Sequence, residues 1–292
     1  MSATALPSIA KIKRRQTVKK IAGLIGRHLF LIVFSLLMIY PIIWWVGASL
    51  KAPAEMSLPS IFPHTPVWDN YIQGWKSNGQ YTFTKFFKNT LTMEFFNVIG
   101  SVCSAALCGF GFGRLRFKGR NLFFTILLIT MMLPGQVTIV PQFIYYHKLG
   151  LVNSYIPLVL PHFFGGAFFI YLVVQFVRGI PVDLDEAAKI DGANIFTIFS
   201  RIIVPLIKAP LVTVAIFTFI WSWDDFFSQV LYLSSVEKFT VGLALRGFID
   251  QFEIKWGQLL AMSLLSVVPS AIVFMLAQKH FVEGIATSGL KG

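Results

Sequence analysis

The residues best suited to chemistry stand close together at 221–227, where Trp221, Trp223, Asp224, Asp225, Phe226 and Phe227 alternate rings with carboxylates. A sugar offers hydroxyl donors to carboxylates and apolar C–H faces to aromatic rings, so Trp beside Asp is a pairing that suits a carbohydrate. An aromatic belt at the lipid headgroups uses the same residue types, and the residues alone leave both readings open. Two further polar groups, Glu94 and His162, fall inside long apolar runs. Glu94 lies near the outer end of its run, where it is a pathway residue or is simply solvated. His162 sits between Pro161 and the pair Gly165-Gly166, a setting for a neutral side chain that satisfies a broken turn.

Other chemistries find little support. No G-x-x-x-x-G-K-[ST] stretch is present, so the chain has no phosphate-binding loop of its own. Metal-ligand spacing and a nucleophile elbow are also missing, and an enzyme is not expected. Cys103 and Cys108 are five apart in one apolar run, among Gly100, Ser101, Ser104, Ala105, Ala106, Gly109, Gly111 and Gly113. Small residues at that density predict a close helix–helix contact rather than redox chemistry. Ion-coupled carriers place several ionisable groups at depth; the near absence of such groups here implies that any driving force comes from outside the chain.

A second informative stretch is 183–210, a polar insert between two apolar runs. Pro181, Asp183 and Glu186 predict a helix start with Asp183 as N-cap and Glu186 closing a capping box. Gly192 predicts its end. Ile195, Ile198, Phe199, Ile202 and Ile203 recur at helical spacing and predict a second helix ending at Pro205. A helical hairpin with an apolar face at a membrane surface suits docking into a partner's groove or lying on lipid.

The elements that must position these groups follow from composition. The chain is 55% hydrophobic and 13% charged, against about 25% charged in soluble domains. Six runs are long enough to span a bilayer: 29–50, 90–113, 122–146, 155–177, 206–223 and 259–278. The first exceeds a signal-peptide core and has no convincing cleavage site. Pro41, Pro134, Pro141, Pro157, Pro161, Pro210 and Pro269 predict bends within the spans. If the N-terminus is inside, the inner segments hold 17 of the 25 Lys and Arg residues and 5 of the 13 acids, so the whole net charge of +12 lies on one face. That places both termini in the cytoplasm. The basic N-terminal tail is expected to meet anionic lipid rather than nucleic acid.

Between the spans, the outer loops 51–89 and 224–258 are long and 148–154 is tight; residues 81–87 are candidates to lie along the interface. No internal repeat is evident. The expected division is a cytoplasmic tail at 1–28, a first span with its outer loop at 29–89, a five-helix core at 90–280 and a cytoplasmic tail at 281–292.

Three motifs carry a resemblance. Glu186-Ala187-Ala188, Asp191-Gly192-Ala193 and Ile203-Val204-Pro205 resemble the EAA loop of permease subunits of binding-protein-dependent ABC importers. WSWDDF at 221–226 is similar to the Trp-Asn-(Asp/Glu)-Phe stretch of sugar permeases in that class, with Asp224 where Asn is frequent. Phe281-Val282-x-Gly284-Ile285 and Gly289-Leu290-Lys291-Gly292 resemble the close of the maltose-type subunit.

The resemblance implies an all-α, six-helix polytopic membrane protein with a type I importer core and a coupling-helix loop at 181–205. It implies docking on cytoplasmic ATPases through Glu186, Ala187, Ala188, Asp191, Gly192 and Pro205, and a tail contact through Gly289, Lys291 and Gly292. Trp221, Trp223, Asp224 and Asp225 would lie on the substrate path. The implied partners are a homologous permease, two ATPase subunits carrying ATP and Mg, an extracytoplasmic binding protein and a carbohydrate, in the inner membrane of a bacterium or archaeon; this chain would bind no cofactor. The competing classes are a self-sufficient facilitator or channel and a membrane-embedded assembly factor. ATPase co-purification separates the first, and uptake in a deletion strain the second.

Overall fold

Long apolar runs without water around them can satisfy their backbone only as helices, and the chain obliges. The computed structural model describes residues 9–77, 80–249 and 254–289, and the described residues are helical apart from loops and one isolated bridge, Ile249 to Ile254. Among the described residues, four helices are long and apolar enough to cross a membrane: 20–49 within α1 (Ile9–Ser49), α3 (Phe83–Arg114), the run 156–179, and 256–278 within α14 (Trp256–Gly289). A short α2 (Asp69–Lys76) lies in the first outer loop.

Two further pairs of helices are apolar enough only when each pair is taken together, and both pairs are sharply bent. In the expected third span, α4 (Arg120–Thr130) and α5 (Gly135–Lys148) meet at 100°. Pro134 caps α5 in an extended conformation, and the turn before it redirects the chain. The expected fifth span, 206–223, is α11 (Lys208–Trp223), and the helical stretch 195–206 before it meets it at 75°. The fourth span is α6 (Ile156–Phe163) followed by α7 (Ala167–Gly179), interrupted at 164–166.

Packing centres on α3, which touches α6, α7 and α11. Its small residues allow this. Gly109 lies so close to Val173 that any Cβ would collide with that side chain, and Gly113 meets Val177 in the same way. Residues 83–87 form the start of α3 rather than a separate segment, and Phe83 and Phe86 are buried against Val241, Phe248 and Met262. By contrast, residues 20–44 are exposed throughout, and their apolar surface is what a lipid phase would solvate, whereas Ala48 and Ser49 at the end of α1 are buried.

Outside the spans, α12 (Phe226–Tyr232) and α13 (Val241–Ala244) fold back over the helix ends. Asn89 donates to Glu237 O and Phe239 O at 2.9 Å each, and Thr90 Oγ1 accepts from Val241 N at 2.9 Å. Asn153, at φ 59°, ties the α5–α6 turn to the same loop: its Oδ1 accepts from Ser234 N and Ser235 N, and its carbonyl accepts from Lys238 Nζ at 2.7 Å. The Tyr155 hydroxyl donates to Lys238 O at 2.9 Å.

Candidate functional site: the 181–206 loop and the cavity beside Asn97

The loop begins at α8 (Asp183–Ile190). Val182, not Asp183, is its N-cap, and no side chain caps it; Asp183, Asp185 and Glu186 all fall in the first turn. The expected capping box is therefore absent, and the three carboxylates favour the helix through its positive N-terminal end. Gly192 ends the helix as expected, at φ +82°, a conformation that costs other residues about 1–2 kcal/mol. Asn194 then caps the next helix, accepting from Thr197 N at 2.8 Å. That helix runs through α9 (Ile195–Thr197), a π-helical stretch over Ile198–Ile203 and α10 (Val204–Leu206). Pro205 lies inside its last turn, and the bend comes at Ile207.

The apolar face of this second helix divides in two. Ile198 and Ile203 are buried, and Phe199 and Ile202 pack against the same core, which includes Phe110 and Val173. Ile195 and Phe196 stay exposed, as do Leu184 and Ile190 on the first helix. The hairpin thus docks on its own bundle and leaves a second apolar surface uncovered.

An ion pair fixes the hairpin to α3. Arg114, the last residue of α3, approaches Asp185 at 3.3 Å with both side chains almost fully buried. The same guanidinium donates to Ile180 O at 2.7 Å and to Pro181 O at 3.3 Å. Glu186, Ala187, Asp191 and Gly192 remain exposed, while Ala188 packs partly against the core. Sequence reasoning missed both Arg114 and Asp185. Asp185 differs from its acidic neighbours only by its helical position, which faces the bundle.

At the other end of α11 the four expected pathway residues separate. Trp221 and Asp225 line a cavity of about 150 Å³ together with Asn97, His162, Ser222 and Gln229. Trp223 points away, buried, its indole N–H donating to Ser266 O at 3.1 Å. Asp224 is exposed and does not line the cavity. Asp225 Oδ1 caps α12 by accepting from Ser228 N at 3.1 Å, and the Trp221 ring stacks on Phe169.

Behind this wall is a polar chain. Asn97 Nδ2 donates to Ser222 Oγ at 2.5 Å, and Ser222 Oγ donates to Glu94 Oε1 at 2.9 Å. Glu94 is 1% exposed, so it is not simply solvated. Gln229 donates to Ser222 O at 3.2 Å and accepts from Thr240 Oγ1. His162 lies beside the helix break, but its ring does not satisfy the freed backbone as expected: Nδ1 bonds Ser101 Oγ, and it is Ser104 Oγ that donates to the His162 carbonyl, both at 2.9 Å. Asn97, Ser222 and Gln229 were not singled out from sequence; only the meeting of three separate helices, α3, α11 and α12, brings them together. Of the tail residues, Gly289 ends α14, whereas Lys291 and Gly292 lie outside the described residues.

Similar proteins agree with this architecture. The chain is 31% identical over 278 residues to the galactooligosaccharides transport system permease protein GanQ of Bacillus subtilis (strain 168), covering 94% of this chain and 98% of that one. It is 31% identical over 272 residues to the arabinooligosaccharides transport system permease protein AraQ of the same organism, covering 92% and 96%. It is also 31% identical over 268 residues to the sn-glycerol-3-phosphate transport system permease protein UgpE of Yersinia pestis, covering 89% and 95%. Among solved structures, a bacterial ABC transporter involved in the import of the acidic polysaccharide alginate superposes with TM-score 0.78 at 23% identity, over 95% of this chain and 100% of that one. Residues 105–287 match the model of the binding-protein-dependent transport system inner membrane component. From the loop fixed beneath α3 to the cavity above it, this chain belongs to that family of inner membrane transport components.

Proposed function

We propose that the chain is one of two homologous permease subunits of an ATP-driven carbohydrate importer, seated on two cytoplasmic ATPases and supplied by an extracytoplasmic binding protein. The observation that carries this reading is the anchored hairpin. A loop bound to α3 by a buried ion pair, yet exposing Ile190, Ile195 and Phe196, is built to receive force from a partner and pass it to the bundle. Carbohydrate is favoured by the ring and carboxylate at Trp221 and Asp225, and by the oligosaccharide systems named for GanQ and AraQ. On this reading ATP and Mg sit on the partners, this chain binds neither, and it is a permease rather than an enzyme. Both termini are cytoplasmic, with the closing residues Gly289, Lys291 and Gly292 lying against the ATPases. Nucleotide-driven closure of those subunits would shift the bundle between inward- and outward-facing states.

Glu186→Lys reverses a charge on the exposed side of α8, and Gly192→Pro excludes the left-handed turn. Each is expected to lower sugar uptake roughly tenfold, with weakened ATPase co-purification and normal membrane insertion. Wild-type uptake and co-purification in both variants would remove the coupling role from this loop.

A further inference from the structure

The turn between α3 and α4 carries four cations in close succession, Arg114, Arg116, Lys118 and Arg120. Arg114 is committed to Asp185 and to two carbonyls of the hairpin. Among the described residues, the other three have no acid within ion-pair distance. Arg120 donates across 3.4 Å to Leu115 O, a long bond, and Arg116 and Lys118 are exposed. Gly119, at φ +83°, turns the chain here, and Arg116 and Arg120 line one cavity of about 360 Å³ with Phe117, Asn121 and Leu122. Arg178, near the end of α7, lies 4.7 Å over the Phe124 ring and brings a further cation to this end of α4.

A cavity lined by two guanidinium groups, an amide and no carboxylate fits an anion. Each guanidinium presents a planar fork of donors that matches a pair of phosphate oxygens, and the Asn121 amide adds another donor. The surface beside the cavity selects the source of the phosphate. Leu122, Phe123 and Ile126, on the first turns of α4, are exposed and apolar, and no residue of α4 is buried. α4 belongs to a helix pair apolar enough to cross a membrane, so in a bilayer these side chains would meet acyl chains just where the cations meet headgroups. A soluble acidic partner would cover the cations and leave the apolar flank bare, and a free phosphate would leave it unused.

We propose that the cavity at 116–122 is a seat for one anionic glycerophospholipid, its phosphodiester held by Arg116 and Arg120 and its chains lying along Leu122, Phe123 and Ile126. The inference goes beyond the importer reading and does not depend on it, since it needs only α4 in a bilayer. It also differs from the diffuse attraction of basic segments to an anionic membrane, which counts charges wherever they stand. Here two cations share one cavity, so the same charge elsewhere on the chain does not replace them. Bound there, a lipid ties the start of α4 to the membrane surface, two residues along the chain from the Arg114 that holds the hairpin.

The test titrates phosphatidylglycerol onto the full-length chain in a neutral detergent, alone and with the subunits that co-purify with it, and counts bound lipid by native mass spectrometry. One saturable lipid per chain is expected in both preparations, bound about tenfold more tightly than phosphatidylcholine with the same acyl chains. Arg116→Gln with Arg120→Gln should erase that preference. Arg116→Gln alone should lower it roughly threefold, and because Arg116 is exposed and has no ion-pair partner, this variant keeps the result readable if the double one folds poorly. Lys85→Gln with Lys148→Gln removes the same charge from exposed positions at the far end of α3 and the end of α5, and should leave binding unchanged. Equal affinity for phosphatidylcholine, or an equal loss in the Lys85 and Lys148 variant, overturns the seat in favour of unspecific lipid or net charge. Displacement by millimolar inorganic phosphate would make the occupant a free anion, and binding to the chain alone but not with its co-purifying subunits would give the surface to a protein. Either result also overturns the proposal, and all of them leave the importer reading untouched.

Discussion

Arg114 and Asp185 hold their charges where little water reaches, and removing one strands the other. Arg114→Ala or Asp185→Ala is expected to destabilise the fold by about 3–5 kcal/mol, read as a lower unfolding midpoint of the purified chain in detergent. Arg114→Met with Asp185→Leu should restore most of that stability, because an apolar pair needs no desolvation. Uptake in the double variant should stay low, because the guanidinium bonds to Ile180 O and Pro181 O are lost as well. Full recovery of uptake would reduce the pair to a packing role. This pair also marks a limit of the sequence. Asp185 is one of three acids in a helical turn, and only the fold decides which one faces inward. Gly192 was legible because a left-handed turn is a local property, whereas the capping box expected of Asp183 and Glu186 is absent; Asn97 and Ser222 were not legible, because their meeting joins α3 to α11.

Among the elements, α3 and α7 approach as the run of small residues in α3 predicts. Gly109→Ile places a branched side chain against Val173 and is expected to cost about 1–3 kcal/mol, measurable as lower membrane abundance and faster proteolysis. Gly111, with no neighbour within 4 Å of its missing Cβ, is the matched control and should tolerate alanine. Helix existence was legible from hydropathy alone, but the 100° turn between α4 and α5 was not. Pro134 signals a break. The apolar residues on both sides look alike to a hydropathy profile, which carries no direction. The same holds at Ile207, where the bend falls two residues after the proline that was expected to end the helix.

For the molecule as a whole, the distribution of charge supports the orientation we propose. With Cys103 and Cys108 replaced by Ala, Lys118→Cys is expected to react with a membrane-impermeant maleimide only in inverted vesicles, and Ser57→Cys only in intact cells. The opposite pattern would invert the topology. The helix that joins these two faces is α3, 32 residues with no proline, about 48 Å long. Asn89 near one end is tied to the outer loop, Asn97 borders the cavity, and Arg114 at the other end holds the hairpin. These three stations share one stiff rod, so none can be displaced alone. A tilt of about 5° about the Arg114 end carries Asn97 about 2 Å and Asn89 about 3 Å. Either shift exceeds the distance tolerance of a hydrogen bond. A lever of this length would turn a small push at its Arg114 end into release of the Asn89 latch and the Asn97 contact in a single stroke.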